Sequence, residues 1–105
     1  MRAEMTLAEI ADKVERVSAI YAERNAIRRD DDWYALKLQE ELGEMLAEYL
    51  RGTSRGRQRP EPNADALGDE AADVLGQLML FVKRNGIDIE AALERKWFRY
   101  LEPST

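Results

Sequence analysis

Two acidic pairs in this chain have the residue types and the spacing of a site for a divalent cation. They are Glu41 with Glu44 and Glu70 with Asp73, and corresponding members of the two pairs lie 29 residues apart. The same offset relates leucines on either side of the pairs. Four carboxylates supply the oxygen ligands that Mg²⁺ prefers. No other group of side chains in the sequence offers comparable chemistry.

The composition narrows the chemistry further. The chain of 105 residues carries a net charge of −5 and contains neither cysteine nor histidine. Disulfides, thiolate metal sites, imidazole-ligated zinc and histidine-based catalysis are therefore excluded. An acidic chain is also not expected to bind nucleic acid, because that function requires a basic surface.

The sequence gives no indication of a membrane protein. No apolar run approaches the ~20 residues of a membrane-spanning helix. The first five residues lack the apolar stretch of a signal peptide. We therefore expect a cytoplasmic protein that has no membrane partner.

Apolar residues recur at intervals of three and four along most of the chain, and no segment alternates with a period of two. This pattern predicts an all-α fold of antiparallel helices without a sheet, in one domain over residues 1–105. The predicted helices run from about Leu7 to Ile27, Trp33 to Arg51, Ala64 to Arg84 and Asp88 to Leu101.

Local signals mark the ends of these helices. Thr6 with Glu9 is typical of a capping box, the run Asp30–Asp32 is expected to supply the N-cap of the second helix, and Asp88 that of the fourth. A flexible loop is predicted over Gly52–Asn63, which has two glycines, two prolines and no apolar anchor. The arginines in and beside this loop would either fold over a bound anion or remain solvated; they are Arg51, Arg55, Arg57 and Arg59.

The spacing within each acidic pair places both members on one helix face. Both pairs also hold the same angular position beside the apolar stripe of their helix. If the second and third helices form an antiparallel hairpin, a local two-fold axis brings the pairs to the same side. The four carboxylates would then repel one another strongly unless a cation joined them. The other interpretation is that each pair belongs to an ordinary solvated helix face.

At these residues the sequence resembles the MazG-like all-α nucleoside triphosphate pyrophosphohydrolases. The family pattern is Glu-Glu-x-x-Glu, followed across a loop by Glu-x-x-Asp. Glu40–Glu44, with the sequence Glu-Glu-Leu-Gly-Glu, and Glu70–Asp73, with the sequence Glu-Ala-Ala-Asp, match it. The strings around both motifs and the segment Gly86–Trp97 are also similar to the family. The resemblance covers about Trp33 to Leu101.

The resemblance implies a helical bundle that works as a homodimer or a dimer of dimers. It implies Mg²⁺ as the cofactor, with Mn²⁺ able to substitute. The reaction would cleave a (deoxy)nucleoside triphosphate between its α- and β-phosphates, giving a monophosphate and pyrophosphate, as in nucleotide-pool housecleaning. Glu40 would orient or deprotonate the attacking water, next to Glu41 as the second catalytic carboxylate. By motif position the metal ligands would be Glu41, Glu44, Glu70 and Asp73.

Four further residues are candidates for substrate binding, and two of them have a structural alternative. Lys37 could pair with a phosphate, and Trp33 could stack on a base or simply pack in the protein. Lys96 shares a helix stripe with apolar residues, so it would either reach a phosphate or snorkel along the core. Tyr100, with the adjacent Arg99, resembles a basic–aromatic pair near the end of some relatives.

Two alternatives to this function stay open. The chain could be a catalytically silent helical module that oligomerises or binds a partner, with solvated acidic stripes. The chemistry could also act on a phosphoribosyl-linked nucleotide, as in related enzymes of histidine synthesis, although nothing in the sequence favours that substrate.

Overall fold

The computed structural model of the protein describes residues 4–57 and 63–101, and these ranges contain helices and turns but no strand. The all-α prediction is therefore confirmed. None of the described helices is long and apolar enough to cross a membrane. The helices are α1 (Leu7–Arg24), α2 (Asp31–Gly52), α3 (Ala66–Arg84) and α4 (Ile89–Lys96), and a 3₁₀ turn follows over Phe98–Leu101.

The capping signals act as the sequence predicts. The Thr6 hydroxyl accepts from the Glu9 amide at 3.1 Å, and the Glu9 carboxylate accepts from the Thr6 amide, which completes the capping box of α1. Asp30 accepts from the Trp33 amide at 2.8 Å at the start of α2. Asp88 accepts from the Ala91 amide at 3.0 Å at the start of α4. Each carboxylate or hydroxyl satisfies an amide that has no partner within its helix.

Two helices end earlier than their apolar patterns predict. The first ends at Arg24 and not at Ile27, because Ala26 takes a left-handed conformation (φ 53°) and the Ile27 amide turns back to the Ala22 carbonyl at 2.9 Å. The last α-helix ends at Lys96, and only a tighter 3₁₀ turn continues to Leu101.

The described edges of the connection between α2 and α3 lie one or two residues later in the chain than the predicted Gly52–Asn63 loop. Helix α2 includes Gly52, and α3 begins at Ala66, two residues after the predicted start. Residues 58–62 of the predicted loop, including Arg59, lie outside the described residues.

Helices α2 and α3 form the main packing interface, and α1 packs against α3. The end of α3 reaches the start of α2, where Arg84 Nε lies 2.7 Å from Asp31 Oδ1. The stripes predicted to be buried are covered only in part. Leu46 and Leu75 are each 52% exposed. A single neighbouring helix cannot cover the full width of such an apolar stripe.

A buried tyrosine joins the helices near the candidate site. Two guanidinium groups lie over the Tyr34 ring, that of Arg29 at 5.8 Å and that of Arg84 at 5.7 Å from its centroid. Arg29 also bonds the Glu15 carboxylate of α1 at 2.8 Å. Cations above an aromatic face are attracted by its negative potential. This cluster ties α1, α2 and α3 together six residues before the first acidic motif.

Candidate metal centre

The two acidic motifs meet across the α2–α3 interface. Glu41 and Glu44 of α2 and Glu70 of α3 each offer a carboxylate oxygen, and these oxygens all lie within 4.8 Å of one another. Glu41 is only 8% exposed, Glu70 is half-buried and Glu44 is exposed. The register of α2 against α3 therefore converts two separate sequence motifs into one cluster, which we call the acidic cluster.

Asp73 lies beside the acidic cluster without joining its tight group of oxygens. It is exposed on α3, and its charge acts on both Glu41 and Glu70. The four residues that the sequence pairs by spacing are thus neighbours, three of them within direct reach of a common point.

Burial makes the charges in this cluster costly. It raises the pKa of the Glu41 carboxyl above its ordinary value; the Lys37 ammonium opposes this, and the charges of Asp73 and Glu44 add to it. Burial also raises the pKa of Glu70, and nearby carboxylates raise it further, namely Glu44, Asp73, Glu41 and Glu48. Both shifts mean that the charged form of each carboxyl is disfavoured at its place in the fold.

Two oxygens in the cluster lack a hydrogen-bond partner. Oε2 of Glu41 and Oε2 of Glu70 are shielded from solvent, and neither is paired within the described part of the chain. A buried, unpaired carboxylate oxygen is expensive. A hard divalent cation fits this donor set, because every candidate ligand is a carboxylate oxygen. Ligands at about 2.0–2.1 Å from Mg²⁺ are at most about 4.2 Å apart, so small side-chain adjustments would close a span of 4.8 Å.

Lys37 forms ion pairs with two acidic residues of the first motif. Its Nζ lies 3.0 Å from Glu40 Oε1 and 3.5 Å from Glu41 Oε1. The hydrogen bond to Glu40 is the largest cause of a raised pKa at Lys37. Glu40 is exposed next to the cluster, within reach of solvent water. The predicted base and the predicted phosphate ligand are therefore paired with each other.

A cavity of about 380 Å³ adjoins the acidic cluster. It lies between α1, α2 and α3, and Trp33, Lys37 and Asp73 contribute to its wall. Trp33 packs edge-on against Tyr34, with ring centroids 5.1 Å apart. Trp33, Lys37 and the acidic motifs are thus brought to one place by the fold.

Lys96 and Tyr100 occupy a different part of the molecule. Both are exposed, on α4 and the 3₁₀ turn, and neither lines the cavity. The Arg99 guanidinium lies 4.7 Å from the Tyr100 ring and donates to its hydroxyl at 2.7 Å. The basic–aromatic pair therefore exists, but within the described part of one chain it makes no ion pair or hydrogen bond with the acidic cluster.

Two polar residues near the cluster escaped the sequence reasoning. Glu48 is buried, pairs with Arg51 at 2.6 Å and adds to the raised pKa of Glu70. Gln77 has an Oε1 that is shielded from solvent and has no hydrogen-bond partner among the residues described. The 29-residue offset continues through these two positions, since Glu48 corresponds to Gln77. If the alignment of the two acidic motifs is extended by one helical turn toward the C-terminus, it includes both residues.

Comparison with protein-family models, with curated proteins and with solved structures gave no match to this chain.

Proposed function

We propose that the protein is a Mg²⁺-dependent nucleoside triphosphate pyrophosphohydrolase of the MazG-like kind. It would convert a (d)NTP to the monophosphate and pyrophosphate in nucleotide-pool housecleaning, a cytoplasmic role. The observation that carries the proposal is the convergence of Glu41, Glu44 and Glu70, with two buried oxygens that lack partners. A surface patch of solvated acids would not leave such oxygens enclosed.

The chain supplies the metal ligands and a base. Glu41, Glu44 and Glu70 would hold the ion, and Asp73 would complete the set from the cavity side. When bound, the ion would neutralise phosphate charge and lower the pKa of bound water. Mn²⁺ could replace Mg²⁺, because it prefers the same oxygen ligands.

A carboxylate must accept the proton of the attacking water, because the chain has no histidine. Glu40 is exposed beside the cluster and paired with Lys37. It would take that proton as the bond between the α-phosphate and the leaving pyrophosphate breaks. Lys37, once displaced from Glu41, would face the phosphates.

The proposal includes an oligomer, a homodimer or a dimer of dimers built as an antiparallel helical bundle. Its support is the row of large apolar side chains that remain exposed along the helix stripes, Leu46 and Leu75 among them. A second copy would cover them. A substrate-binding role for Lys96 and Tyr100 would also require a second copy, whose α4 could bring them to the site.

The decisive experiment measures pyrophosphate and orthophosphate released from a broad panel of nucleotides, with Mg²⁺ and with chelator. We expect pyrophosphate from at least one nucleotide, no orthophosphate, and loss of turnover in Glu41→Gln with the helical circular dichroism unchanged. Glu94→Gln, on exposed α4, is the matched control. A panel that yields no pyrophosphate would overturn the enzyme proposal.

The exposed apolar stripes also favour one other function, a catalytically silent oligomerisation or partner-binding module. Calorimetric titration with Mg²⁺ separates the two. A silent module shows no saturable binding, and Glu41→Gln leaves its titration unchanged. The enzyme shows saturable binding that Glu41→Gln abolishes.

A further inference from the structure

The cavity beside the acidic cluster combines aromatic, small and polar walls. Trp33 contributes from α2, and Tyr21 contributes from α1. On α3 the wall includes Ala72 and Gly76, neither of which has a side chain larger than a methyl group. At about 380 Å³ the space lies within the range of small-molecule sites.

We propose that this cavity binds the nucleobase of the substrate, with Trp33 stacking on the base and Gln77 reading its hydrogen-bonding edge. The inference rests on the proposed function, because the acidic cluster fixes where the phosphates lie. A base site would let the protein distinguish one nucleotide from another, which the acidic cluster alone cannot do.

The position of the cavity suits the length of a nucleotide. Asp73 belongs both to the cavity wall and to the surroundings of the acidic cluster. Gln77 follows Asp73 by four residues, about 6 Å along α3. The phosphate end and the base end of one nucleotide, separated by the sugar, would therefore meet successive turns of the same helix.

Gln77 has the chemistry of a base reader. Its side-chain amide carries an acceptor and two donors, and the Watson–Crick edge of every base presents donors and acceptors side by side. Oε1 has no hydrogen-bond partner among the described residues, so a turn toward the cavity breaks no bond of that oxygen there. A donor on the base would satisfy an atom that is otherwise costly to bury.

Trp33 is held in place before any ligand arrives. Its amide is capped by Asp30, and its ring packs edge-on to Tyr34, which is itself buried and contacted by two guanidinium groups. An aromatic side chain that is already ordered loses little entropy when a base stacks on it. Stacking on an aromatic ring does not distinguish one base from another. We therefore assign the selectivity among bases to Gln77.

The first test compares kcat/KM for the four common deoxynucleoside triphosphates, measured as pyrophosphate release. In Gln77→Leu we expect kcat/KM for the preferred nucleotide to fall about 10- to 100-fold, with much smaller changes for the others. Gln39→Leu, the same change at an exposed position on α2, should keep the wild-type preference. An equal effect on all four bases, or a wild-type enzyme without preference, would overturn the reading of bases by Gln77.

The second test does not need catalysis. The chain has two tryptophans, so Trp97→Phe leaves Trp33 as the sole indole. Titration with uncharged nucleosides in the presence of chelator should quench Trp33 saturably. Trp33→Phe, which retains the exposed Trp97, should show no saturable quenching.

The third test fills the cavity with a larger side chain at Gly76. A Cβ added at Gly76 meets Val14 Cγ1 at 3.7 Å, an ordinary contact, so Gly76→Ala should still bind nucleosides. Gly76→Leu should abolish the quenching of Trp33, provided its circular dichroism matches that of Gly76→Ala.

The outcomes separate the two ideas. Pyrophosphate release without nucleoside quenching of Trp33 keeps the enzyme and overturns the cavity as a base site. Quenching without pyrophosphate from any nucleotide keeps the base site and overturns the catalytic proposal.

Discussion

The Nζ of Lys37 lies 3.5 Å from Oε1 of Glu41, the most buried acid of the cluster. The two residues are one helical turn apart on α2, so their pairing is local and independent of the α2–α3 contact. A lysine of the protein therefore holds the acid to which we assign the metal ion. Cation binding and the Lys37–Glu41 pair compete for the same carboxylate.

Removing this lysine should strengthen metal binding. In Lys37→Met the ammonium no longer pairs with Glu41 or repels an incoming cation, and we expect the Kd for Mg²⁺ to fall about 2- to 5-fold, the scale of a partly exposed ion pair. Turnover should fall, because the phosphates lose a cationic partner. Calorimetry gives the first quantity and pyrophosphate release the second.

Lys83→Met is the matched control. Lys83 pairs with Asp12 at 3.7 Å, away from the acidic cluster, so its removal should leave the Mg²⁺ affinity unchanged. Weaker Mg²⁺ binding in Lys37→Met than in wild type would show that the two cations do not compete.

The raised pKa values of Glu41 and Glu70 predict the pH dependence of the metal-free protein. Between the ordinary carboxyl pKa and the raised values, the folded state retains protons that the unfolded state has lost. The free energy of unfolding should therefore fall as the pH rises through this window. Lys37 does not interfere, because its pKa is raised above an already high lysine value.

Urea unfolding in chelator at a series of pH values checks this expectation. The Glu41→Gln/Glu70→Gln double variant should lose this part of the decline, and its stability relative to wild type should increase toward neutral pH. At neutral pH, Mg²⁺ should stabilise the wild type and leave the double variant unchanged. Parallel pH profiles for the two proteins would contradict the assignment of these groups.

The parts of the fold that follow from short-range chemistry could be predicted from the sequence. The Thr6–Glu9 capping box and the Asp30 and Asp88 caps involve residues three apart, so their geometry is set by the helix itself. The approach of Glu41 to Glu70 could also be anticipated, because the two motifs hold equal positions beside their apolar stripes.

Features that have no local signal in the sequence, or that depend on tertiary contact, could not be predicted in this way. The early end of α1 depends on the left-handed Ala26, a residue type that gives no turn signal. The extent of burial along a stripe depends on how many neighbours pack there, and Leu46 and Leu75 remain half-exposed for this reason. The enclosure of Gln77 without a partner for its Oε1 likewise arises only when α3 packs in the folded chain.

Tyr34 is expected to be the main anchor of the site's scaffold. Tyr34→Leu removes a buried ring that contacts two guanidinium groups and Trp33, and it should lower the free energy of unfolding by about 2 kcal/mol. Tyr34→Phe keeps the ring and should stay within about 0.5 kcal/mol of wild type. Urea unfolding measures both, and equal losses would mean that the hydroxyl, not the ring, provides the stability.

The exposed apolar stripe of α2 predicts how the proposed oligomer can be dissociated. Leu46 lies on this stripe and is 52% exposed in the single chain. A second copy that covers it would bury an added charge, so Leu46→Glu should shift the protein to monomers in light scattering coupled to gel filtration. Leu36 is 68% exposed, lies about 80° around the same helix from Leu46 and is outside the stripe, so Leu36→Glu should leave the assembly intact. If Leu46→Glu and wild type have the same mass, this stripe is not an interface between copies of the chain.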